Sequence, residues 1–253
     1  MNVHIGITGR LTVLSILLGG CSVTAPPHLQ SPPRSLVVTS GGNHSASYLA
    51  RVEGGIIVVD LGWWGADDAL ENGLKQLGAT PEDVVAVFLT HSHRDHIAGW
   101  RRVRHAPFHM ARSEVELLFR RSEHGGWIPR WAEKLMRSDV PATDDVRVGA
   151  FASDTVFVMG SDTMRAFLMP GHTAGSAAYL FRGTLFVGDA VGSELGGGWR
   201  PARGGYSDDV EAARRSLTRL RERVARYDVR WMCSAHLKCG EVTDALWADL
   251  LER

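Results

Sequence analysis

The sequence has no excess of charge of either sign. Its 253 residues include 28 lysines and arginines and 28 aspartates and glutamates, so the formal net charge is zero. A nucleic-acid-binding protein usually carries a basic excess that neutralises phosphates. The arginines between residues 214 and 226 fall on a helical pattern, which is typical of a solvated helix face. The composition therefore indicates no nucleic-acid partner.

The N-terminal region lacks an apolar run that could span a membrane. Its run LTVLSILL is far shorter than the about 20 residues that a spanning helix needs. The run has the length of a signal-peptide core, and residues 18–21, LGGC, follow it directly. This pattern resembles the lipobox of bacterial lipoproteins, whose cysteine is lipidated after cleavage. The alternative is an ordinary signal peptide with an incidental cysteine.

We therefore predict a signal peptide over residues 1–20, a lipid on Cys21 and a flexible, Pro/Ser-rich tether over residues 21–35. These features predict an exported protein that is anchored to the cell envelope and faces the periplasm or the exterior. It is expected to contact the membrane through its lipid alone. The folded domain is expected over residues 36–253.

Cysteine is scarce, with three residues in the chain. Cys21 is accounted for by the predicted lipid. Cys233 and Cys239 flank His236, and an exported protein permits a disulfide between them. The alternatives are two unpaired thiols or one thiol close to a metal, and the sequence leaves them open.

The fold class follows from the alternation of strand and helix patterns. Hydrophobic residues make up 44% of the sequence, which is enough for a sizeable core. From residue 36 onward, β-rich runs and helical patterns predict an α/β fold. VVAVFLT, at residues 84–90, is typical of a strand covered on both faces. A long helix is expected with Ser207 as its N-cap, and the polar stretch over residues 122–145 is expected to be irregular.

Histidine and aspartate concentrate where predicted strands end. LTHSHRDHIAG, at residues 89–99, follows a buried strand, and further side chains of this kind follow later strands. A lone histidine in such a place is more often structural than functional. Because α/β folds place their sites at the carboxyl ends of strands, the set together has enough ligands for two metal ions sharing one carboxylate. Its members are His91, His93, Asp95, His96, His172, Asp189 and His236.

The motifs THSHRDHIAG, PGHTAGS, VGDA and SAH occur in the order, and at roughly the spacings, found in the metallo-β-lactamase-fold superfamily. The resemblance covers about residues 36–240. It implies an αββα sandwich, in which two mixed β-sheets pack face to face between helices and metal ions lie at one edge.

The resemblance also implies a role for each motif residue. His91, His93 and His172 would bind a first metal ion, and Asp189 would bridge it to a second. Asp60, which ends an early strand, would support the site from behind. The second ion would be bound by Asp95, His96 and His236.

These residue types suit two Zn²⁺ ions, with Mn²⁺ or Fe as alternatives. Two metals that share a water lower its pKa to about 7, so that hydroxide forms at neutral pH and attacks a carbonyl or phosphorus. Asp95 is expected to orient this nucleophile or to accept its proton, and Asp189 is expected to hold the ions together. The resemblance thus implies a zinc-dependent hydrolase of a small-molecule substrate.

Differences between this chain and individual members of the superfamily narrow the expected activity. The bridging Asp189 favours the glyoxalase II and lactonase-like branch over the β-lactamases. The family's β-lactamases have Cys or Ser at the bridging position, whereas this chain has Asp189. Glyoxalase II carries a long helical C-terminal domain, whereas 17 residues follow His236 here. Quorum-quenching lactonases often carry Tyr where this chain has Gly192. We therefore expect hydrolysis of an ester, thioester or lactone.

Other readings stay open: an exported β-lactamase-like enzyme, a mononuclear iron oxidoreductase resembling persulfide dioxygenase, and a metal-binding lipoprotein without catalysis. The oligomeric state is left open as well. Aromatic and basic side chains are candidates either for the substrate cleft or for ordinary surface loops, and the stretch over residues 122–145 is a candidate lid. The cleft candidates are Trp63, Trp64, Trp199, Arg200, Arg203 and Tyr206, and the candidate lid carries Trp127 and Trp131.

Overall fold

The computed structural model describes residues 36–41, 45–136, 139–193, 198–236 and 238–252. The predicted signal peptide, lipidation site and tether lie outside the described residues. The strands are β1 (Leu36–Gly41), β2 (Ser45–Val52), β3 (Gly55–Val59), β4 (Val84–Phe88), β5 (Pro107–Ala111), β6 (Arg147–Phe151), β7 (Thr155–Met159), β8 (Asp162–Leu168), β9 (Ala177–Phe181), β10 (Thr184–Gly188), β11 (Val191–Ser193), β12 (Trp199–Pro201), β13 (Trp231–Ser234) and β14 (Lys238–Glu241). The α-helices are α1 (Ala66–Gln76), α2 (Val115–Leu118), α3 (Trp127–Leu135), α4 (Val210–Val224) and α5 (Asp244–Leu251).

Two six-stranded sheets form the centre of the molecule. The first runs from β1 to β6 in chain order; its pairs are antiparallel as far as β3 and parallel from β3 to β6. The second has the order β14-β13-β10-β9-β8-β7, with β10 and β13 parallel and the other neighbours antiparallel. Strands β11 and β12 pair as a separate ribbon.

The core consists of three apolar layers, because strand side chains alternate between faces. Ile56 and Val58 of β3 pack in one cluster with Leu70 of α1. Ile57, between them, belongs to a second cluster that includes Tyr179 of the other sheet. A third cluster joins the second sheet to α4 and α5. The layers therefore run helix, sheet, sheet, helix, and the αββα sandwich of two mixed sheets predicted from the sequence is confirmed.

Several local predictions were wrong. Ser207 is not the N-cap of the long helix; Asp209 is, because its carboxylate accepts a hydrogen bond from the backbone N–H of Ala212. The stretch over residues 122–145 is not wholly irregular, since it contains α3. No strand was predicted for the segments that form β6, β11, β12 and β14.

The segments that carry the predicted site leave the ends of five strands. Asp60 follows β3, the segment over residues 89–96 follows β4, and His172 comes four residues after β8 ends. Asp189 follows β10 directly, and His236 comes just after β13. No helix among the described residues is both long enough and apolar enough to cross a membrane.

Candidate metal centre

The segment after β4 turns back on itself and presents several side chains to one place. Leu89 continues the strand by donating its N–H to the carbonyl of His109. A 3₁₀ turn then covers Arg94–His96, and the N–H of His96 donates to the carbonyl of His93 over 3.0 Å. The hydroxyl of Ser45 at the start of β2 donates to the carbonyl of Asp95 and ties this turn to the neighbouring strand.

Three buried imidazoles form what we term the first trio: His91, His93 and His172. Their exposed fractions are 0%, 6% and 3%. Nε2 of His172 lies 3.2 Å from Nε2 of His91 and 3.0 Å from Nδ1 of His93. One nitrogen from each ring therefore points to a common centre.

Asp95, His96 and His236 form the second trio. Oδ2 of Asp95 lies 3.9 Å from Nε2 of His96 and 3.9 Å from Nε2 of His236. The side chains of Asp95 and His236 are each 22% exposed, whereas His96 is fully buried. This trio is therefore more open to solvent than the first.

Asp189 lies between the two trios. Its Oδ2 is 3.6 Å from Nε2 of His172 and 3.1 Å from Nε2 of His236, and its Oδ1 is 3.5 Å from Nε2 of His96. One carboxylate thus faces members of both trios, as a bridging ligand would.

The polar atoms of this cluster fit metal ions. Nε2 of His96 and Oδ1 of Asp189 are buried and make no hydrogen bond among the described residues. Ring nitrogens at 3.0–3.2 Å that share a centre repel one another unless a proton or a cation lies between them. Imidazole and carboxylate donors in such a set suit Zn²⁺. The residues present therefore fit two ions that share Asp189.

A layer of polar groups holds the rings from behind, as is usual for metal-binding histidines. Nδ1 of His96 lies 3.0 Å from Asp60, and Nδ1 of His91 lies 3.1 Å from the Thr90 hydroxyl. That hydroxyl donates to Asp60 over 2.7 Å, and Asp60 also accepts the N–H of Thr90. Asp60 is thus hydrogen-bonded to one member of the second trio directly and connected to His91 of the first through Thr90.

Two acidic residues that sequence reasoning missed fasten the loops of the site. Glu114, which is fully buried, accepts hydrogen bonds from the N–H of Ser92, the hydroxyl of Thr173 and the N–H of Gly175. It connects the loop of His91 and His93 to the loop of His172. Burial raises the pKa of Glu114, although these hydrogen bonds oppose the change.

Asp208 makes the second fastening. Its carboxylate accepts the N–H groups of Gly126 and Ala174, and its own N–H donates to the carbonyl of His172 over 3.0 Å. Ser207, the mispredicted helix cap, instead places its hydroxyl 3.1 Å from Nδ1 of His172.

A protein-family model matches most of the chain. The model described as "Metallo-beta-lactamase superfamily" matches residues 40–236, which include all seven predicted ligands. The chain belongs to the metallo-β-lactamase superfamily.

Relatives within this superfamily are distant in sequence. A curated relative from Bacillus velezensis, named "Probable polyketide biosynthesis zinc-dependent hydrolase BaeB", is 28% identical over 157 residues, which are 61% of this chain and 57% of the relative. The match thus spans less than two thirds of that relative's length.

Solved structures from the superfamily support the fold. An archaeal member from Sulfolobus tokodaii has a TM-score of 0.64 at 21% identity, covering 87% of this chain and 86% of its own. The B3 metallo-β-lactamase BLEG-1 has a TM-score of 0.63 at 21% identity, covering 84% and 95%. A subclass B3 enzyme from a soil metagenome has a TM-score of 0.58 at 20% identity, covering 80% and 76%.

The two halves of this superfamily site differ in electrostatics. Burial, followed by neighbouring imidazoles, lowers the pKa of His91 and His93 well below 6.5, and burial also lowers the pKa of His172. Burial acts in the same direction on His236, but the carboxylate of Asp189 outweighs it and raises the pKa of His236 to about 9. The first trio therefore favours neutral imidazoles, and the second attracts positive charge.

The carboxylates explain this attraction. Burial alone would lower the pKa of His96, but Asp189, Asp60 and Asp95 raise it well above 6.5. Conversely, burial opposes ionisation of Asp189, yet His236 and His96 hold its pKa well below 3.8. A bound cation would meet the same negative charge that these protons meet.

The aromatic side chains named as cleft, lid or surface-loop candidates lie in different surroundings. Trp63 stacks on Trp64 with ring centres 4.6 Å apart, and the Arg94 guanidinium lies 4.7 Å over Trp63. Trp127 and Trp131 of α3 are 62% and 57% exposed. Part of the loop over residues 193–206 lies outside the described residues.

The structure distinguishes between a disulfide and two unpaired thiols at Cys233 and Cys239. Cys233 and Cys239 form a disulfide and lie opposite each other across β13 and β14. The bond closes the turn that carries His236.

Proposed function

We propose that the protein is a dinuclear, zinc-dependent hydrolase that cleaves a small ester, thioester or lactone. The observation that carries the proposal is the position of Asp189, whose two oxygens face His172 of the first trio and His96 and His236 of the second. The name of the curated relative, a probable zinc-dependent hydrolase, supports both the reaction class and the metal.

In this proposal each trio would hold one Zn²⁺, and Asp189 would contact both ions. The bound ions supply Lewis acidity, which activates water at neutral pH and polarises the substrate oxygen. Neutral imidazole is the form of histidine that binds metal, and burial maintains it in the first trio.

Asp95 and Asp189 have different parts in the proposed reaction. Asp95 is partly exposed and faces His96 and His236 with one carboxylate oxygen. We assign to its other oxygen the orientation of the attacking water and the acceptance of its proton. Asp189 is more buried, at 15% exposed, and it keeps the two halves of the centre together.

The glyoxalase II and lactonase-like branch is proposed because of Asp189 at the bridging position.

We extend the proposal to the domain organisation and the location of the protein. Residues 1–20 are a signal peptide, residues 21–35 are a tether, and residues 36–253 are the catalytic domain. A lipid on Cys21 anchors the exported protein to the cell envelope. The Cys233–Cys239 disulfide supports an oxidising compartment. Cys21→Ala should release the protein from the membrane fraction; if both forms fractionate alike, the anchor proposal fails.

Metal analysis combined with a substrate panel tests the activity. The purified protein is measured for bound metals by mass spectrometry and assayed on lactones, thioesters, simple esters, phosphodiesters and β-lactams. We expect close to two zinc ions per chain, turnover of carbonyl substrates, loss of activity with a chelator and recovery with Zn²⁺.

Other outcomes would replace the proposal with a named alternative. Efficient hydrolysis of a chromogenic cephalosporin would select the β-lactamase-like enzyme. A single iron with oxygen consumption would select the dioxygenase-like enzyme. Tight metal binding without turnover on any substrate class would leave a metal-binding protein.

A further inference from the structure

One histidine of the first trio differs from its neighbours in what lies behind it. Nδ1 of His91 faces Thr90, Nδ1 of His172 faces Ser207, and Nδ1 of His96 in the second trio faces Asp60. His93 turns Nδ1 toward the centre, so its outward nitrogen is Nε2. This Nε2 is buried and makes no hydrogen bond among the described residues.

The ring of His124 lies against His93. The two ring centres are 4.5 Å apart and the planes are inclined by 70°. His124 is 3% exposed, and neither of its ring nitrogens has a hydrogen-bond partner among the described residues. A buried imidazole with two unpartnered nitrogens is unusual, because buried polar groups are almost always hydrogen-bonded.

The backbone around His124 fixes its place. Gly126 donates its N–H to Asp208 over 2.9 Å, and a Cβ on Gly125 would come within 2.6 Å of that carboxylate. Asp208 in turn donates its N–H to the carbonyl of His172. The segment that carries His124 is thus tied to the loop of the first trio.

We infer that His124 is the positioning partner of His93: a small rotation of the contacting rings brings an unprotonated nitrogen of His124 to accept the hydrogen on Nε2 of His93. A neutral imidazole has one N–H and one acceptor nitrogen, so it can play this part. The bond fixes His93 in the tautomer and ring orientation that present Nδ1 to a metal ion, as such outer partners do elsewhere. This inference rests on the proposed function in that the first trio binds a metal.

Neighbouring groups are poor alternatives as acceptors. Arg120 is only a donor, and its Nε is itself buried without a partner among the described residues. The Glu114 carboxylate is engaged by Ser92, Thr173 and Gly175. Among the residues that the structure describes, the ring of His124 contacts His93 and has a nitrogen free to accept a hydrogen bond.

Metal affinity of the full chain tests the inference independently of turnover. The purified protein is stripped of metal and titrated with Zn²⁺ against a chromogenic chelator, and with Co²⁺ while its visible absorption spectrum is recorded. His124→Phe removes the acceptor and keeps an aromatic ring. We expect it to weaken binding of one of the two ions by about 10–100-fold and to change the Co²⁺ spectrum.

Amide variants separate positioning from packing. Gln and Asn each offer an oxygen acceptor, at about the reach of Nε2 and Nδ1 of histidine respectively. We expect either His124→Gln or His124→Asn to recover most of the affinity and the spectrum. The same loss on His124→Phe in a His236→Ala background, which keeps the first trio intact, would assign the effect to that trio.

His109→Phe is the matched control. His109 is also mostly buried, and it stacks on Phe88 with ring centres 5.1 Å apart. Among the described residues, its Nδ1 neither accepts a hydrogen bond from a side chain nor donates one to a side chain. His109 belongs to no trio, so its replacement should leave both affinities unchanged. If His124→Phe fails to fold by circular dichroism, His124→Leu serves as the second apolar variant.

The inference is wrong if the apolar variant binds both ions with native affinity and an unchanged Co²⁺ spectrum, whatever its melting temperature. It is also wrong if neither amide variant recovers what the apolar variant loses. A wild-type protein that binds no metal would overturn the proposed function together with this inference, whereas the first two results would overturn the inference alone.

Discussion

The two trios that meet at Asp189 differ in residue type and in exposure to solvent. The first consists of three imidazoles, none more than 6% exposed. The second contains a carboxylate, and two of its three side chains are 22% exposed. In the first, burial lowers the pKa values of the histidines, whereas in the second the carboxylates raise them.

This difference separates two ways of preparing a metal site. In the first trio, burial excludes water and favours neutral imidazoles, which is the form of histidine that binds a metal ion. The second accumulates negative charge, which favours a cation but also favours protons in its place. We therefore expect the ion of the first trio to be retained to lower pH than the ion of the second trio, because protons compete less for its histidines. We expect the substrate to approach over the second trio, which is more open to solvent.

Removal of Asp189 should have the largest effect, because it abolishes the connection between the trios. For Asp189→Ala we expect bound metal to fall from about two ions per chain to about one. Turnover should fall by at least about a hundredfold, since loss of even an outer partner of a ligand costs about 10–100-fold. Metal content by mass spectrometry and turnover are measured on the same samples, with circular dichroism to show that the fold persists.

Asp162→Ala is the control for this change. The side chain of Asp162 has a similar exposed fraction, 14%, and it forms an ion pair with Arg182. Asp162 lies at the turn between β7 and β8, and neither strand carries a metal-site residue. It should keep both ions and full turnover. An Asp189→Ala protein that keeps two ions would show that the carboxylate does not bridge.

Substitutions of Asp60 and Ser207 should reduce metal affinity by an intermediate amount, and they should affect the two trios differently. Asp60 is bonded to His96 and reaches His91 through Thr90, so Asp60→Asn should weaken both ions by about 10–100-fold. Ser207 contacts His172 of the first trio, so Ser207→Ala should weaken one ion by about tenfold or less. Competition with a chelator measures both affinities; a selective loss of one ion in Asp60→Asn would contradict the shared role.

The smallest expected effect concerns the pH dependence of the metal-free protein. The folded pKa of His236 is raised from 6.5 to about 9, so its contribution to stability is complete below pH 6.5 and disappears as the pH rises through about 9. The lowered pKa values of the first trio act in the opposite direction, since their contribution is complete above pH 6.5 and declines as the pH falls.

Chemical denaturation of wild type and His236→Gln, both without metal, measures this term. The stability advantage of wild type should be about 1–3 kcal/mol near pH 6 and close to zero near pH 10. An advantage that grows with pH would reverse the assignment of charge to the second trio.

Much of the fold could be predicted because the spacing of apolar residues along the sequence identifies strands and helices. The apolar run that becomes β4 and the leucines of α1 have periods that identify strand and helix directly. The limits of the long helix were harder, because Ser207 and Asp209 are both good caps and the choice depends on a contact with His172. Helix α3 has Pro129 within it and three exposed apolar side chains, so its sequence resembles a loop.

The candidate site divides in the same way. The seven metal-site residues lie in short motifs and the structure brings all of them together; their role as ligands stays a prediction. Glu114, Asp208 and His124 lie in no motif, because their partners are 22 to 82 residues away in the chain. Their roles come from the packing of distant loops, which a single sequence does not display.

Asp60 supports His96 directly and His91 through Thr90, and this shared support affects how the centre can change by mutation. A substitution at Ser207 touches one ligand and leaves the rest in place, so it offers a gradual route to a different metal or a different reactivity. A substitution at Asp60 disturbs one histidine in each half in a single step. We therefore expect variants of this protein, natural or designed, to differ mainly at groups that support one histidine and to keep the carboxylate at position 60.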